Sequence, residues 1–417
     1  MSDPIRHTVG WICAISTEFV AAQALLDETH DGPEHVAIHD NNSYVLGRVR
    51  KHNVAIAVLP DGEYGLSSAA ITARDMVRSF PNIRIGLMVG IGGGAPSRKH
   101  DVRLGDVVVS SPQSGKSGVF QYDFGKTIQE QKFQTTGILS QPPTVLRTAV
   151  SSLKAAHEID GAQLDDIINQ ALLKKPRLRQ KYQRQDPDSD RLYRPDFVHS
   201  IDATSCTGYC DCQPSNWVQR STRDEYKVNP TVHYGLIASA NQLMKDAYIR
   251  DKLAEEEDVL CFEMEAAGLI NHFPCLVIRG ICDYANSHKN KAWQGYAAMA
   301  AAAYPKGLLA KITLNKLEAE EKIVDILDSR CGKTVLSSTV IEALRATGKD
   351  RIVLQFYFAF NDKAKQKLED LIRSLVIQLG LLRDDCQKLL EDLFFTCSDG
   401  RPLPSCDELR SVWLPAD

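Results

Sequence analysis

Three acidic residues in separate segments are the first candidates for chemistry. Glu18 follows the apolar run VGWICAI (9–15), Asp283 follows CLVIRGIC (275–282), and Glu265 sits inside CFEMEAAGL (261–269), a stretch that otherwise reads as buried helix. A carboxyl whose pKa is raised by its surroundings can donate a proton while a second one orients water, so such a set suits bond cleavage by general acid–base chemistry. Each acid taken alone also fits a helix cap or a surface charge. Glu263 and Glu265 sharpen the question. On a helix, residues two apart lie on different faces, so one basic partner is not expected to serve both. Burying a carboxylate is costly unless something pairs with it. CFEMEAAGL is therefore either a solvated helix end or a place where one acid meets a polar ligand.

The elements that must position these acids are legible from the apolar pattern. VGWICAI, NVAIAVL (53–59), IGLMVGIGGGA (85–95) and LGDVVVS (104–110) are short and strand-like. Between the second and third, GLSSAAITARDMVRSF (65–80) has helical period, with Ser67 or Ser68 as its cap. Strand, helix, strand in this order predicts an α/β fold with a mixed, mostly parallel central sheet flanked by helices. In open sheets of this kind ligands bind beyond the carboxyl ends of the strands. Glu18 and Asp283 then fall on that edge, within reach of a helix-borne Glu265. VGIGGGAP (89–96) predicts a glycine-rich turn after a strand, where the backbone of Gly92 and Gly93 can approach a ligand. It departs from G-x-G-x-x-G, because position 95 is alanine, and is weak as a dinucleotide motif.

Further along, a helix is expected around 144–157. LLKKPRLRQKYQRQDPDSDRLYRPD (172–196) is charged and broken by prolines, so residues 130–230 read as an inserted, partly irregular surface segment. Core character returns at 231–247, 258–270 and 275–285, and in the alanine-rich helix 292–312. From about 316 the composition shifts to charged helix, which predicts a second module over 316–417.

The chain of 417 residues is 43% hydrophobic and 24% charged with a net charge of −4, ordinary for a soluble globular protein and unlike one built to hold nucleic acid. No apolar run approaches the roughly 18 residues of a membrane span. VGWICAI lacks the long core and cleavage site of a signal peptide. The eleven cysteines are odd in number, and several lie in apolar runs (Cys13, Cys261, Cys275, Cys282). That pattern predicts reduced thiols and a cytoplasmic setting.

AISTEF, VGIGGGAP, LGDVVVS, FEMEAAG and VIRGICDYA occur in the order and spacing of the nucleoside phosphorylase and nucleosidase superfamily. Over about 8–315 the chain resembles most its methylthioadenosine/adenosylhomocysteine nucleosidase branch. IRGICDYANSHKNKAWQGYAAMAAAAY (278–304) is similar to fungal proteins that carry this domain ahead of a NACHT-type nucleotide-binding domain. The resemblance implies a purine nucleoside or nucleotide as ligand, no cofactor, and a homo-oligomer. It also implies roles. Met264 and Glu265 would line the ribose site, with Glu265 accepting from the 2′- and 3′-hydroxyls, which explains a buried acid with no basic partner. Glu263 would be a supporting residue. Asp283 matches the general acid at purine N7, and Glu18 the carboxylate that orients attacking water. The base-binding loop falls on GLIASANQLMKD (235–246), where Asn241 offers an amide to the base edge and His233 and Tyr234 pack.

Two alternatives stay open beside hydrolysis. Phosphorolysis needs cations for phosphate; Val89 and Ile91 stand where the phosphorylases place donors, while Arg98, Lys99 and Arg103 follow nearby. Those cations could instead hold the 5′-phosphates of a nucleotide. The other alternative is a signalling or incompatibility sensor whose pocket only binds. CTGYCDC (Cys206, Cys210, Cys212), with His199 upstream, lacks the standard C-x₂-C spacing, which predicts free thiols on a surface insertion and no metal. DSRCGKTVLSSTVIEAL (328–344) ends like a P-loop at Gly332, Lys333 and Thr334. Leu327 replaces its first glycine, so 316–417 is expected to be a truncated, degenerate NACHT start without ATP hydrolysis.

Overall fold

A computed structural model of the chain describes residues 2–327, apart from Ser114, Gln131, Lys132, residues 200–209, 211–213 and 224–229, and Asn290, together with Ser374, Leu375, Gln378 and Lys388. The chain divides into two compact units, Met1–Leu327 and Asp328–Asp417. The P-loop-like stretch 328–344, and Cys206 and Cys212, lie outside the described residues.

The strands of the first unit are β1 (Val9–Cys13), β2 (Glu28–Thr29), β3 (Tyr44–Val49), β4 (His52–Val58), β5 (Ile85–Gly94), β6 (Val107–Ser110), β7 (Val119–Gln121), β8 (Gly125–Lys126), β9 (Gln134–Thr135), β10 (Val232–Ser239), β11 (Val259–Glu263) and β12 (Cys275–Asp283). Its α-helices are α1 (Ser16–Ala24), α2 (Leu66–Ser79), α3 (Thr144–Asp160), α4 (Leu164–Lys174), α5 (Arg179–Tyr182), α6 (Ala247–Glu257), α7 (Ala266–Leu269), α8 (Gln294–Ala310) and α9 (Leu314–Ala319).

The main sheet runs β11-β10-β6-β12-β5-β1-β4-β3-β2. β1 lies between β4 and β5, parallel to both, and every residue of β1 and of β12 is buried. Burial on both faces is what an apolar run without polar alternation requires. The sheet is mixed: β12 is parallel to β5 and antiparallel to β6. β11 also meets the end of β5 antiparallel, Cys261 opposite Gly94, which closes β5, β12, β6, β10 and β11 into a ring. The carboxyl ends of β5, β11 and β12 thereby converge. α8 packs on β12 so closely that a Cβ on Gly280 would lie 1.9 Å from the Ala297 carbonyl oxygen. That approach explains both the alanines of the helix and the glycine of the strand.

Several expectations need correction. CFEMEAAGL (261–269) is not one helix: Val259–Glu263 is a strand and only Ala266–Leu269 is helical. The Glu263 carboxylate accepts the N–H groups of Glu265 and Ala266, which starts the helix where the strand stops. VGIGGGAP is not a turn either. Gly90 to Gly94 continue β5 without a positive φ, and Gly93 lies opposite Asp283. α2 is capped by Gly65 at φ 96°, whereas Ser68 Oγ donates to Glu63. The segment 172–196 is no loose surface insertion, because Leu172, Tyr182, Leu192 and Tyr193 are buried. Residues 316–327 pack with the first unit: Leu317 and Ile323 are buried, and the Ile323 N–H donates to Ile83 O at 2.9 Å. Among the described residues no helix is long and apolar enough to cross a membrane.

Candidate active site

β12 contributes the residue that organises the acids, Arg279, fully buried and facing Glu18, Glu263 and Glu265. Its Nη2 donates to Glu263 Oε2 and, at 3.2 Å, to Glu265 Oε2. One guanidinium thus serves two acids that a continuous helix would have separated; the change from strand to helix at Met264 turns both toward it. The expectation that Glu265 is buried without a basic partner is therefore wrong. Met264 lies between them, and its N–H donates to Glu265 Oε2 at 3.3 Å.

Glu18, in the first turn of α1, is held by backbone. Its Oε2 accepts from the N–H of Ala14 at 2.6 Å and Ile15 at 3.2 Å, and its Oε1 from the N–H of Ile91 on β5 at 2.8 Å. A Cβ at Gly90 would lie 2.4 Å from Arg279 Nη1 and 2.5 Å from Glu18 Oε1, so the missing side chain there is what lets acid and base approach the strand. Arg279 Nε and Nη1 are buried with no hydrogen-bond partner among the described residues. Three carboxyls around one guanidinium cannot all ionise cheaply. Burial pushes Glu265 up to about 7, opposed by Arg279 and reinforced by the charges of Glu263 and Glu18. Burial likewise raises Glu18, against the pull of Arg279 and its three N–H donors.

Asp283 ends β12. Its Oδ1 accepts the Ala285 N–H at 2.9 Å and its Oδ2 accepts from Lys289 Nζ at 2.7 Å. A Cβ at Gly93 would stand 2.8 Å from Asp283 Oδ1, so this glycine too is set by a close carboxylate. Gly93, Phe262, Met264, Met244, Asp283 and Lys289 line one cleft. Gly92 does not line it; a Cβ there would be 3.0 Å from Phe262 O. Asn241 does not line the cleft. Its N–H donates to Asp123 Oδ2 and its amide oxygen faces the N–H of Leu66 at the start of α2. Its neighbours Gln242, Leu243 and Met244 fill the position instead.

Two of the three cations that follow β5 have partners elsewhere. Lys99 pairs with Asp258 at 3.5 Å, Arg103 with Asp101 at 2.8 Å, and Arg98 is exposed. His233, on β10, has its Nε2 3.0 Å from the buried Asp106. Sequence reading passed over Arg279 and Lys289. The signal for Arg279 was available: a lone arginine inside CLVIRGIC, flanked by apolar residues, must bury its charge against acids.

A family model described as the Phosphorylase superfamily matches residues 8–312, and one described as Nephrocystin 3, N-terminal, matches 328–413. A nucleotide-binding leucine-rich repeat (NLR)-like protein of Hyaloscypha variabilis is 40% identical over 382 residues, 86% of this chain; the chain spans 37% of that relative's length. Among solved structures, futalosine hydrolase of Helicobacter pylori is 13% identical, with TM-score 0.45, covering 74% of this chain and 99% of that one. A 5′-methylthioadenosine/S-adenosylhomocysteine nucleosidase from Neisseria meningitidis, in complex with methylthio-immucillin-A, is 14% identical with TM-score 0.46, covering 73% and 99%.

Proposed function

The chain belongs to the phosphorylase superfamily, and from that premise we propose that its first unit hydrolyses the N-glycosidic bond of a purine nucleoside or nucleotide. Asp283, in its protonated form, gives its proton to purine N7 as the C1′–N9 bond breaks and the electron pair is drawn into the base, and solvent then restores the proton to the carboxyl. Lys289 fixes that carboxyl in place. Glu265, in its ionised form, accepts from the ribose hydroxyls and stabilises the positive character that develops at C1′. Water supplies the oxygen that bonds to C1′, and Glu18 takes its proton. A carboxyl raised by burial is a stronger base than a solvated one, as this step requires.

One observation carries hydrolysis over phosphorolysis. The backbone N–H groups of Ala14, Ile15 and Ile91, which together would make a cradle for an anion, already hold the carboxylate of Glu18. A phosphate at that place would meet Glu18 at contact distance, and the charge of the nearby Arg279 is already offset by Glu263 and Glu265. The test is product analysis on a panel of nucleosides and nucleotides with and without phosphate. Free ribose or ribose 5-phosphates formed at a rate independent of phosphate supports the reading; ribose 1-phosphate that grows with added phosphate overturns it. A ligand-binding sensor is favoured by the NLR-like relative, and purine release separates the two.

A further inference from the structure

The cysteine segment offers a site that the glycosidic chemistry does not use. Cys210 was expected to be an exposed thiol; it is buried, packed with Tyr193 and flanked by Phe197 and Trp217. His199 Nδ1 lies 3.1 Å from its sulfur. The third member comes from a distant part of the chain: His288, five residues beyond Asp283, is buried and brings a ligand atom within 4.8 Å of those of His199 and Cys210.

We propose that His199, Cys210 and His288 bind one zinc ion, which ties the segment around Tyr193 and Trp217 to the loop that carries Lys289. Thiolate with two imidazoles is a donor set that zinc takes readily, and a tetrahedral ion with bonds of about 2.0–2.3 Å sets its ligand atoms roughly 3.3–3.6 Å apart. His199 Nδ1 and Cys210 Sγ, 3.1 Å apart, are near that spacing, and all three ligand atoms lie within 4.8 Å of one another. The rings are also held in place before any ion arrives. His288 stacks on Tyr193 at 4.0 Å between centroids and on Phe197 at 5.1 Å, and lies edge-on to His199. His288 Nε2 sits 2.8 Å from Phe197 O. Metal-binding histidines commonly carry such a carbonyl contact on the ring nitrogen that does not ligate. Three protein ligands leave one position of the tetrahedron for water. The consequence for the active site is positional, because Lys289 is the next residue after His288 and grips Asp283.

The full chain, purified under reducing conditions, is assayed for bound metal, stripped with a chelator and titrated with zinc against a competing chromogenic chelator. Cobalt is added in parallel to read thiolate ligation by its charge-transfer absorption. The wild type is expected to take up one zinc per chain and to show the cobalt–thiolate band. Cys210→Ser should lose the band, and its zinc affinity should fall by more than the roughly 10–100-fold that losing an outer hydrogen-bond partner costs. His199→Ala, at a half-buried position, should weaken zinc similarly while keeping the thiolate, and serves if Cys210→Ser does not fold. A wild type that takes up no stoichiometric zinc, a cobalt band that survives Cys210→Ser, or unchanged zinc affinity in His199→Ala would each overturn the site.

Discussion

Arg279 Nη2 donates to Glu265 Oε2 at 3.2 Å and to Glu263 in the same grip, although the three belong to a strand end, a short helix start and the middle of another strand. The guanidinium decides how much negative charge the site can hold. With it, two carboxylates are tolerated beside Glu18; without it, the acids must take up protons or the packing must open.

Arg279→Met should therefore destabilise the first unit by roughly 3–5 kcal/mol, the cost of leaving buried charges without their partner. Arg279→Lys should recover only part, because the shorter, strongly hydrated ammonium does not place its donors where Nη2 meets both carboxylates. Chemical denaturation measures both. A midpoint unchanged in Arg279→Met would mean that the acids are neutral in the folded chain.

Asp283→Asn should leave folding intact and cut turnover by about 10²–10⁴-fold, the usual worth of acid–base assistance. Lys289→Met should lower turnover less, since it removes only the grip on the carboxyl. Near wild-type turnover in folded Asp283→Asn would take that residue out of the acid role.

The strands that precede Glu18 and Asp283 were readable because a largely apolar run without polar alternation means a strand buried on both faces. CFEMEAAGL was misread because its alanines fit a helix while Val259–Phe262 fit a strand, and periodicity cannot place the break between them. The break comes from Glu263 capping α7 and pairing with Arg279, a contact across sixteen residues of sequence. The glycines misled for a related reason. Gly90 and Gly93 look like a turn, yet they are strand positions emptied for Glu18, Arg279 and Asp283, which only the folded pairing reveals.

Glu265 gives a pH signature. Its folded value is about 7 against an ordinary 4.5, so between those values the folded chain binds more protons than the unfolded one. Stability from this group is present below about pH 4.5 and is lost as pH rises toward 7. Glu265→Gln has no charge to form and should flatten that slope. Denaturation midpoints measured across pH 4.5 to 7 check it, and an equal slope in both proteins would assign the proton elsewhere.

A chain ending at Leu327 should keep full glycosidic activity, because Glu18, Glu265, Asp283 and Arg279 all lie in the first unit. A chain ending at residue 315 should melt earlier, because Leu317 and Ile323 are removed from the core and Arg84 loses its bond to Glu320 O. Equal melting of the two would show that residues 316–327 add nothing to the unit, and an inactive but folded 1–327 would show that the site needs the second unit.

The last prediction concerns the place that Glu18 fills. Glu18→Ala should abolish hydrolysis, because among the described residues no other carboxyl is held against the Ala14, Ile15 and Ile91 N–H groups. It should also lower stability, since buried donors left unpaired cost about 1–3 kcal/mol each. Those donors, with Arg279 Nη1 beside Gly90, then form an empty cradle of the kind that binds small anions. Phosphate or formate should raise the melting temperature of Glu18→Ala and leave the wild type unmoved. Formate, a carboxylate of the right size, should restore part of the purine release. If phosphate stabilises the wild type as much as the variant, an anion site exists beside Glu18, and phosphorolysis returns as the reading of this active site.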